Sequence, residues 1–463
     1  MFDVHLIGMG GSGISAIARL LIESGYSVSG SDRHVSAVIE GLEAAGARVY
    51  IGHSPENVAG AKLVVRSSAI PDDNVEVQAA KAAGIPVLKR ADFIGRLMEG
   101  RTGIAVAGTH GKTTTTAMIA WMLSSMGQDP SYIIGSDSHN LGTNARAGKG
   151  TAFVIEADEY DRMFLGLKPK IAVITNVEYD HPDFYLAEAD YFQAFSEFAT
   201  TLDKGGSLLV CGDDGGASRV LHEASSHGIQ AYTYGICDQD YDYFGSGMSH
   251  NPVGGLTFEV VIRGRNAEPV RIALKVPGEH NVRNCLAALA VADQLGLSLN
   301  EAARALSAFK GTGRRFDVLG EASGITVIDD YAHHPTEIRA TLSAARARFP
   351  GRQLWVVWQP HTYSRTRSLF TDFASAFIEA NHVVVTEVYA AREAVSTDFS
   401  ALQVVQAMGH TDAYFIPDLT STTAFLLTHL DQGDVLLVLS AGDADQVSAQ
   451  VLAALKERSR SDV

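Results

Sequence analysis

The run Gly108-Thr109-His110-Gly111-Lys112-Thr113-Thr114 sets a lysine and two hydroxyls directly after a glycine turn. Such a turn, followed by a helix N-terminus, aims successive backbone N–H groups at one place and suits a polyphosphate. Lys112 is expected to reach the β- and γ-phosphates of a nucleoside triphosphate, and the Thr113 hydroxyl to hold Mg²⁺. The full loop pattern asks for a glycine where Val106 stands, so the signal lies in the Gly-Lys-Thr core. A carboxylate suited to the same metal follows in Glu156-Ala157-Asp158-Glu159-Tyr160-Asp161. Glu156, first off an apolar run, is the candidate ligand, while the remaining acids read as a solvated loop. His181, in Glu178-Tyr179-Asp180-His181, is placed to ligate metal or steer phosphate. Asn281 and Asn284 share one face of a first helical turn, either capping the helix or hydrogen-bonding a base.

These groups need strands to carry them. Apolar runs over 103–106, 153–155 and 171–176 each stop at one of the polar segments, and helices are expected from Thr115 and over 285–295. This is the pattern of an open α/β sheet, whose ligands gather beyond the strand C-termini. A similar unit opens the chain. A strand over 4–7 runs into Gly8-Met9-Gly10-Gly11-Ser12-Gly13, followed by an apolar helix over 14–21 and a strand ending at Asp32. Glycines 8, 10 and 13 fit the dinucleotide fingerprint, with Asp32 where a ribose-binding acid belongs. Further on, a strand over 63–65 delivers Arg66-Ser67-Ser68-Ala69-Ile70. A third α/β unit delivers two polar clusters at strand ends, Asp329-Asp330-Tyr331-Ala332-His333-His334 and Gln359-Pro360-His361-Thr362-Tyr363-Ser364-Arg365. Their Arg and His content suits a carboxylate or phosphate surface.

Bulk properties bound the reading. At 463 residues the chain makes about three domains, here placed at 1–98, 99–308 and 309–463. Hydrophobic content of 46% and charged content of 19% describe a folded protein. A net charge of −16 argues against a nucleic-acid or anionic-membrane surface. Three cysteines form neither a disulfide framework nor a metal pattern, and no signal peptide or membrane span is expected. A cytoplasmic protein, monomer or homodimer, is the expectation.

In order along the chain, GMGGSG, SSAI, GTHGKTTT, EADEYD, TNVEYDH, GEHNVRN, GTGRRFD, DDYAHHPTE and QPHTYSRTR resemble the Mur ligase family, the ATP-dependent amino-acid ligases of peptidoglycan synthesis. The pattern is nearest to its alanine-adding branch. The resemblance implies a Rossmann-like first domain, a central P-loop ATPase-like domain and a Rossmann-like C-terminal domain. It also implies ATP and Mg²⁺ as cofactors, with UDP-N-acetylmuramate and L-alanine as substrates. By that resemblance the first domain holds a UDP-sugar rather than NAD, through Gly10, Gly11, Ser12, Gly13, Asp32, Ser67, Ser68 and Ala69. His110 and Asn144 would meet the muramoyl group. Gly108 to Thr114, Asn281, Asn284, Arg314 and Asp330 would contact ATP, with Thr113, Glu156 and His181 holding metal. His333 or His334, with Arg365, would meet the amino acid. Thr362 departs from an arginine common in that branch, and Ser440-Ala441-Gly442-Asp443-Ala444 from a family glycine loop. Phe195 and Ser196 stand in the region where other members carry a modified lysine. Three rival readings share part of this pattern, and a nucleotide-gated binding protein without catalysis would not need the full set Lys112, Thr113 and Glu156. A ligase that adds a ready-made tripeptide shares EADEYD and HHPT but not QPHTYSRTR, and an NAD-dependent oxidoreductase leaves Lys112, Glu156 and His181 without a task.

Overall fold

The first strand, Val4–Ile7, is buried along its whole length, which marks it as interior to a parallel sheet covered on both faces. In the computed structural model, which describes residues 2–265 and 268–461, it lies third of five parallel strands. Their order is Arg48–Ile51, Val28–Asp32, Val4–Ile7, Val64–Arg66 and Val87–Lys89. The helix Ser12–Glu23 begins at Ser12 rather than Ile14 and buries Ile14, Ile17, Ala18 and Leu21, a stripe at helical spacing.

The central unit carries a ten-stranded sheet whose middle is Ser207–Cys211, Ile171–Ile174, Thr102–Ala107, Ala152–Glu156 and Ser131–Ile133, all parallel. Register pairs Ile174 with Ala107 and Val106 with Glu156. The ends of three neighbouring strands therefore emerge side by side, which fixes the crevice. The strand expected over 171–176 stops at Ile174, because Thr175 and Asn176 turn away to bind the phosphate loop.

The helix Lys112–Ser125 contains four consecutive threonines, poor helix formers, yet all four are buried; packing overrides propensity. It lies against the helix Glu279–Gln294, which starts at Glu279 rather than Cys285. Phe195 sits in an aromatic cluster with Phe164 and Tyr191, at 5.3 and 5.2 Å between ring centres.

The third unit has a six-stranded sheet in the order Asp317–Ala322, Ile325–Asp330, Val435–Ser440, Leu354–Gln359, His382–Val385 and Ala413–Phe415. It is parallel except at its first edge. The α/β class and the three sheet-bearing units agree with the sequence reading. No helix of the described residues is long and apolar enough to cross a membrane. The three cysteines are free.

Candidate active site

Two glycines give the phosphate loop its shape. Gly108 has φ 140°, and a β-carbon there would fall 1.9 Å from Thr175 Oγ1; Gly111 has φ 80° and would meet Asn284 Oδ1 at 2.7 Å. The loop is clamped from the neighbouring strand end. Thr175 Oγ1 donates to the His110 carbonyl at 2.6 Å, Asn176 Nδ2 donates to it at 3.0 Å, and Asn176 Oδ1 accepts from His110 N at 2.8 Å. The helix then starts with Lys112 and Thr113.

Lys112 Nζ lies 3.0 Å from Glu159 Oε1 and 2.8 Å from Oε2, and donates to the Gly108 carbonyl at 2.6 Å. Burial alone would lower the Lys112 pKa, but Glu159 and Asp158 raise it, so the ammonium stays charged. Glu159 is 1% exposed. That corrects the reading of the acids after Glu156 as a solvated loop: a buried lysine demands a buried carboxylate.

Thr113 Oγ1 donates to Glu156 Oε1 at 3.0 Å, while Glu156 Oε2 accepts from Gly135 N at 2.7 Å. A β-carbon on Gly135 would fall 2.5 Å from Glu156 Oε2 and 2.9 Å from Thr113 Oγ1. The pair thus borders a cradle that only glycine leaves open. Burial holds the Glu156 carboxyl above the usual range, against the pull of Lys112. His181 Nδ1 is a buried nitrogen without a hydrogen-bond partner among the described residues. The hard oxygen donors of Thr113 and Glu156, with His181 lining the same cleft, fit a small divalent cation such as Mg²⁺.

His181 Nε2 stands 3.6 Å from Glu159 Oε1. The adjacent Asp180 accepts two hydrogen bonds from Arg365 of the third unit, Nε to Oδ1 at 2.7 Å and Nη2 to Oδ2 at 3.1 Å, with both side chains 3% exposed. Burial alone would raise the Asp180 pKa, but Arg365 holds it well below the usual range. Arg365 therefore ties two units together across the cleft.

His110 lies between two carboxylates, with Nε2 3.1 Å from Glu178 Oε2 and Nδ1 3.2 Å from Glu337 Oε1. Burial would lower its pKa, yet Glu337 and Glu178 raise it to about 9. Thr336 Oγ1 donates to Glu178 Oε1 at 2.8 Å, a second bridge between the same two units. Of the two neighbouring histidines, His334 is 2% exposed and caps the helix Pro335–Arg348, accepting from Thr336 N at 3.3 Å. His333 lines the cleft instead. Burial pushes His333 down to about 3 and His361 also to about 3, so both are neutral.

One cleft of about 640 Å³ gathers Ser12 and Gly13 of the first unit, Lys112, Thr113, Glu156 and His181 of the second, and Arg314, His333, His361 and Arg365 of the third. An adjoining cavity of about 320 Å³ is lined by Gly111, Thr114, Asn281, Asn284, Tyr234 and Asp330, among others. Such a volume suits a nucleoside. Asn281 and Asn284 do share a face, linked Nδ2 to Oδ1 at 3.1 Å, but neither caps the helix: Gly278 holds that place, and Asn281 Nδ2 donates to the Pro277 carbonyl at 2.7 Å. Burial pushes Asp330 up to about 6; it accepts from Phe316 N and Ala332 N at 2.8 and 2.7 Å. Arg314 donates to Asp329 at 3.0 Å and to the Ser440 carbonyl at 2.7 Å. The loop after Ser440 folds onto Gln359, whose Oε1 accepts from the Ser440 hydroxyl and from Asp443 N at 2.6 and 3.0 Å.

In the first unit Asp32 serves the glycine loop itself, accepting from Gly10 N at 2.8 Å. Gly11 precedes the helix, and Ser67, whose Cβ would lie 3.2 Å from a β-carbon at Gly8, sits beside exposed Ser68 and Ala69. Thr109 hydroxyl donates to the Glu178 carbonyl at 2.8 Å, and the Asn144 carbonyl accepts from Ile134 N at 2.8 Å. The sequence reading missed Gly135, Glu159, Glu178 and Glu337. A small residue, or an acid next to a chosen one, carries no signal until the fold brings it to the site.

The chain matches the Mur ligase family catalytic domain over residues 3–102, the Mur ligase middle domain over 106–292 and the Mur ligase glutamate ligase domain over 314–442. It is 45% identical to a UDP-N-acetylmuramate–L-alanine ligase from Roseiflexus sp. (strain RS-1), over 98% of this chain and 99% of that one. A protein of the same name from Geobacter sp. (strain M21) is 42% identical, covering 99% and 98%. Among solved structures, the UDP-N-acetylmuramate-alanine ligase MurC of Thermotoga maritima superposes with a TM-score of 0.82 at 29% identity, covering 99% of this chain and 100% of that one. A murein peptide ligase from Psychrobacter arcticus gives 0.73 at 25% identity, covering 98% and 99%.

Proposed function

The chain belongs to the Mur ligase family, and on that premise we propose that it joins L-alanine to the carboxylate of UDP-N-acetylmuramate with cleavage of ATP to ADP and phosphate. The observation that carries the reading is the meeting of three units on one cleft: a glycine loop from the first, a phosphate loop from the second, and neutral histidines from the third.

In the first step a carboxylate oxygen of the muramoyl group attacks the γ-phosphorus, the bond to the β,γ-bridging oxygen breaks, and ADP leaves. Lys112, kept charged by Glu159, neutralises the charge spreading over the transferred phosphoryl oxygens. Thr113 and Glu156, with His181 from the same cleft, would hold Mg²⁺, which would supply further charge neutralisation to those oxygens. In the second step the L-alanine amine attacks the acyl carbon. The tetrahedral intermediate then expels phosphate and forms the amide. The proton that the amine sheds leaves with the departing phosphate or to water, while the uncharged imidazoles of His333 and His361 line the cleft without repelling the amine.

Asn281, Asn284 and Asp330 border the cavity for the nucleoside end of ATP, while Ser12 and Gly13 bring the sugar nucleotide to the same cleft. Residues from all three units are needed at once, so closure of the units assembles the site.

The test is an isotope transfer. UDP-N-acetylmuramate labelled with oxygen-18 in its carboxylate is expected to hand label to the released phosphate when L-alanine and Mg-ATP are present. Phosphate free of label overturns the acyl-phosphate route.

A further inference from the structure

We propose that Arg392 holds the α-carboxylate of the incoming amino acid. The proposal rests on the reading of the cleft as the site of amino-acid ligation. Arg392 lines the cleft, and every other arginine or lysine there is less exposed than it and already paired with a carboxylate. Arg365 is 3% exposed and gives two hydrogen bonds to Asp180. Lys112 rests on Glu159, Arg315 lies 3.5 Å from Glu337, Arg314 3.0 Å from Asp329 and Arg90 3.2 Å from Asp158. Their side chains are between 13% and 29% exposed. Arg392 is 44% exposed. Its Nε, at 2.8 Å, and its Nη2 converge on a single oxygen, Asp183 Oδ2, so Nη1 is left without a hydrogen-bond partner among the described residues. A ligand carboxylate can therefore engage the guanidinium without breaking a buried pair.

The backbone aims this side chain. Ala391, the residue before it, has φ 51°, in the left-handed region that a residue with a β-carbon rarely adopts. On the other side, the Glu393 carboxylate accepts from Tyr363 N at 2.6 Å, from Ser364 N at 3.2 Å and from the Ser364 hydroxyl. Tyr389 N donates to the Pro360 carbonyl at 2.8 Å, and Thr362 N donates to the Tyr389 carbonyl at 2.9 Å. The segment is thus pinned to the turn and helix that carry His361 and Arg365.

Arg392 Cζ lies 4.3 Å from the centre of the Tyr160 ring, and that ring is edge-on to His181 at 5.1 Å. His361 stacks on Tyr389 at 5.8 Å and stands 6.0 Å from His333, ring centre to ring centre. An α-amino acid carries its amine and carboxylate on the same carbon. A carboxylate held at Arg392 leaves the amine in the cleft that His333, His361 and Lys112 also line. Burial keeps His361 unprotonated, and the charges of Arg365 and Arg392 add to it.

The test compares L-alanine with L-alaninamide, which keeps the amine and lacks the carboxylate, in the wild type, Arg392→Ala and Arg392→Lys. Arg392→Ala is expected to raise KM for L-alanine about 10- to 100-fold, the range of a charged hydrogen bond. KM for ATP and for UDP-N-acetylmuramate should stay within about twofold, because neither ligand is assigned to this residue. The preference for L-alanine over its amide should collapse in Arg392→Ala and partly return in Arg392→Lys. A variant that keeps the wild-type preference overturns the proposal. A wild type without amino-acid-dependent turnover removes the underlying reading instead, so the two failures are told apart.

Discussion

Lys112 Nζ sits 2.8 Å from Oε2 of Glu159, a carboxylate 1% exposed, so the ammonium proposed to meet phosphate is already held charged by a buried partner. Removing one member of such a pair leaves the other buried without compensation, at a cost of about 3–5 kcal/mol.

Lys112→Ala should therefore abolish ATP turnover and also lower the denaturation midpoint. The double variant Lys112→Ala/Glu159→Gln should regain most of the lost stability and none of the turnover, measured by urea denaturation and phosphate release. Phosphate release at the wild-type rate in Lys112→Ala would remove the lysine from the mechanism.

Gly135→Ala should mimic Glu156→Ala. The new methyl would lie 2.5 Å from Glu156 Oε2, so the carboxylate must leave Thr113. Both variants should need about tenfold more Mg²⁺ for half-maximal activity, on the scale of one lost oxygen ligand or its support. An unaltered Mg²⁺ titration in both would place the metal elsewhere.

His110 sets a pH window for stability. Its pKa rises from 6.5 to about 9 in the folded chain, since Glu337 and Glu178 outweigh burial. A folded pKa above the unfolded one stabilises the protonated form, so the contribution is full below about pH 6.5 and is lost as pH rises through about 9. His110→Gln should flatten the change in stability between those two values, a difference on the order of 1–3 kcal/mol. Denaturation midpoints of both proteins across that range check it; parallel pH profiles contradict the assignment.

The groups legible in the sequence were those carried by strong local signals. Glycine turns after buried strands placed Gly108 to Thr113, and an acid at a strand end placed Glu156 beside Thr113. Less legible was what non-local packing decides. Glu159 looks like any acid of a polar loop until Lys112, 47 positions earlier, lands on it. The Asp180–Arg365 pair spans 185 positions and two units. The sequence does not decide between His333 and His334; the capping geometry does, turning His334 inward as the helix cap and leaving His333 to the cleft. Asn281 was open to two readings because the helix start lay six residues earlier than its apolar run suggested, at Glu279 rather than Cys285.

The most direct measurement is phosphate release from Mg-ATP with UDP-N-acetylmuramate, adding L-alanine, glycine, L-serine or the tripeptide in turn. Turnover that requires both the sugar nucleotide and L-alanine is the predicted result. Turnover with the tripeptide alone, or with no acceptor at all, contradicts the assignment of L-alanine.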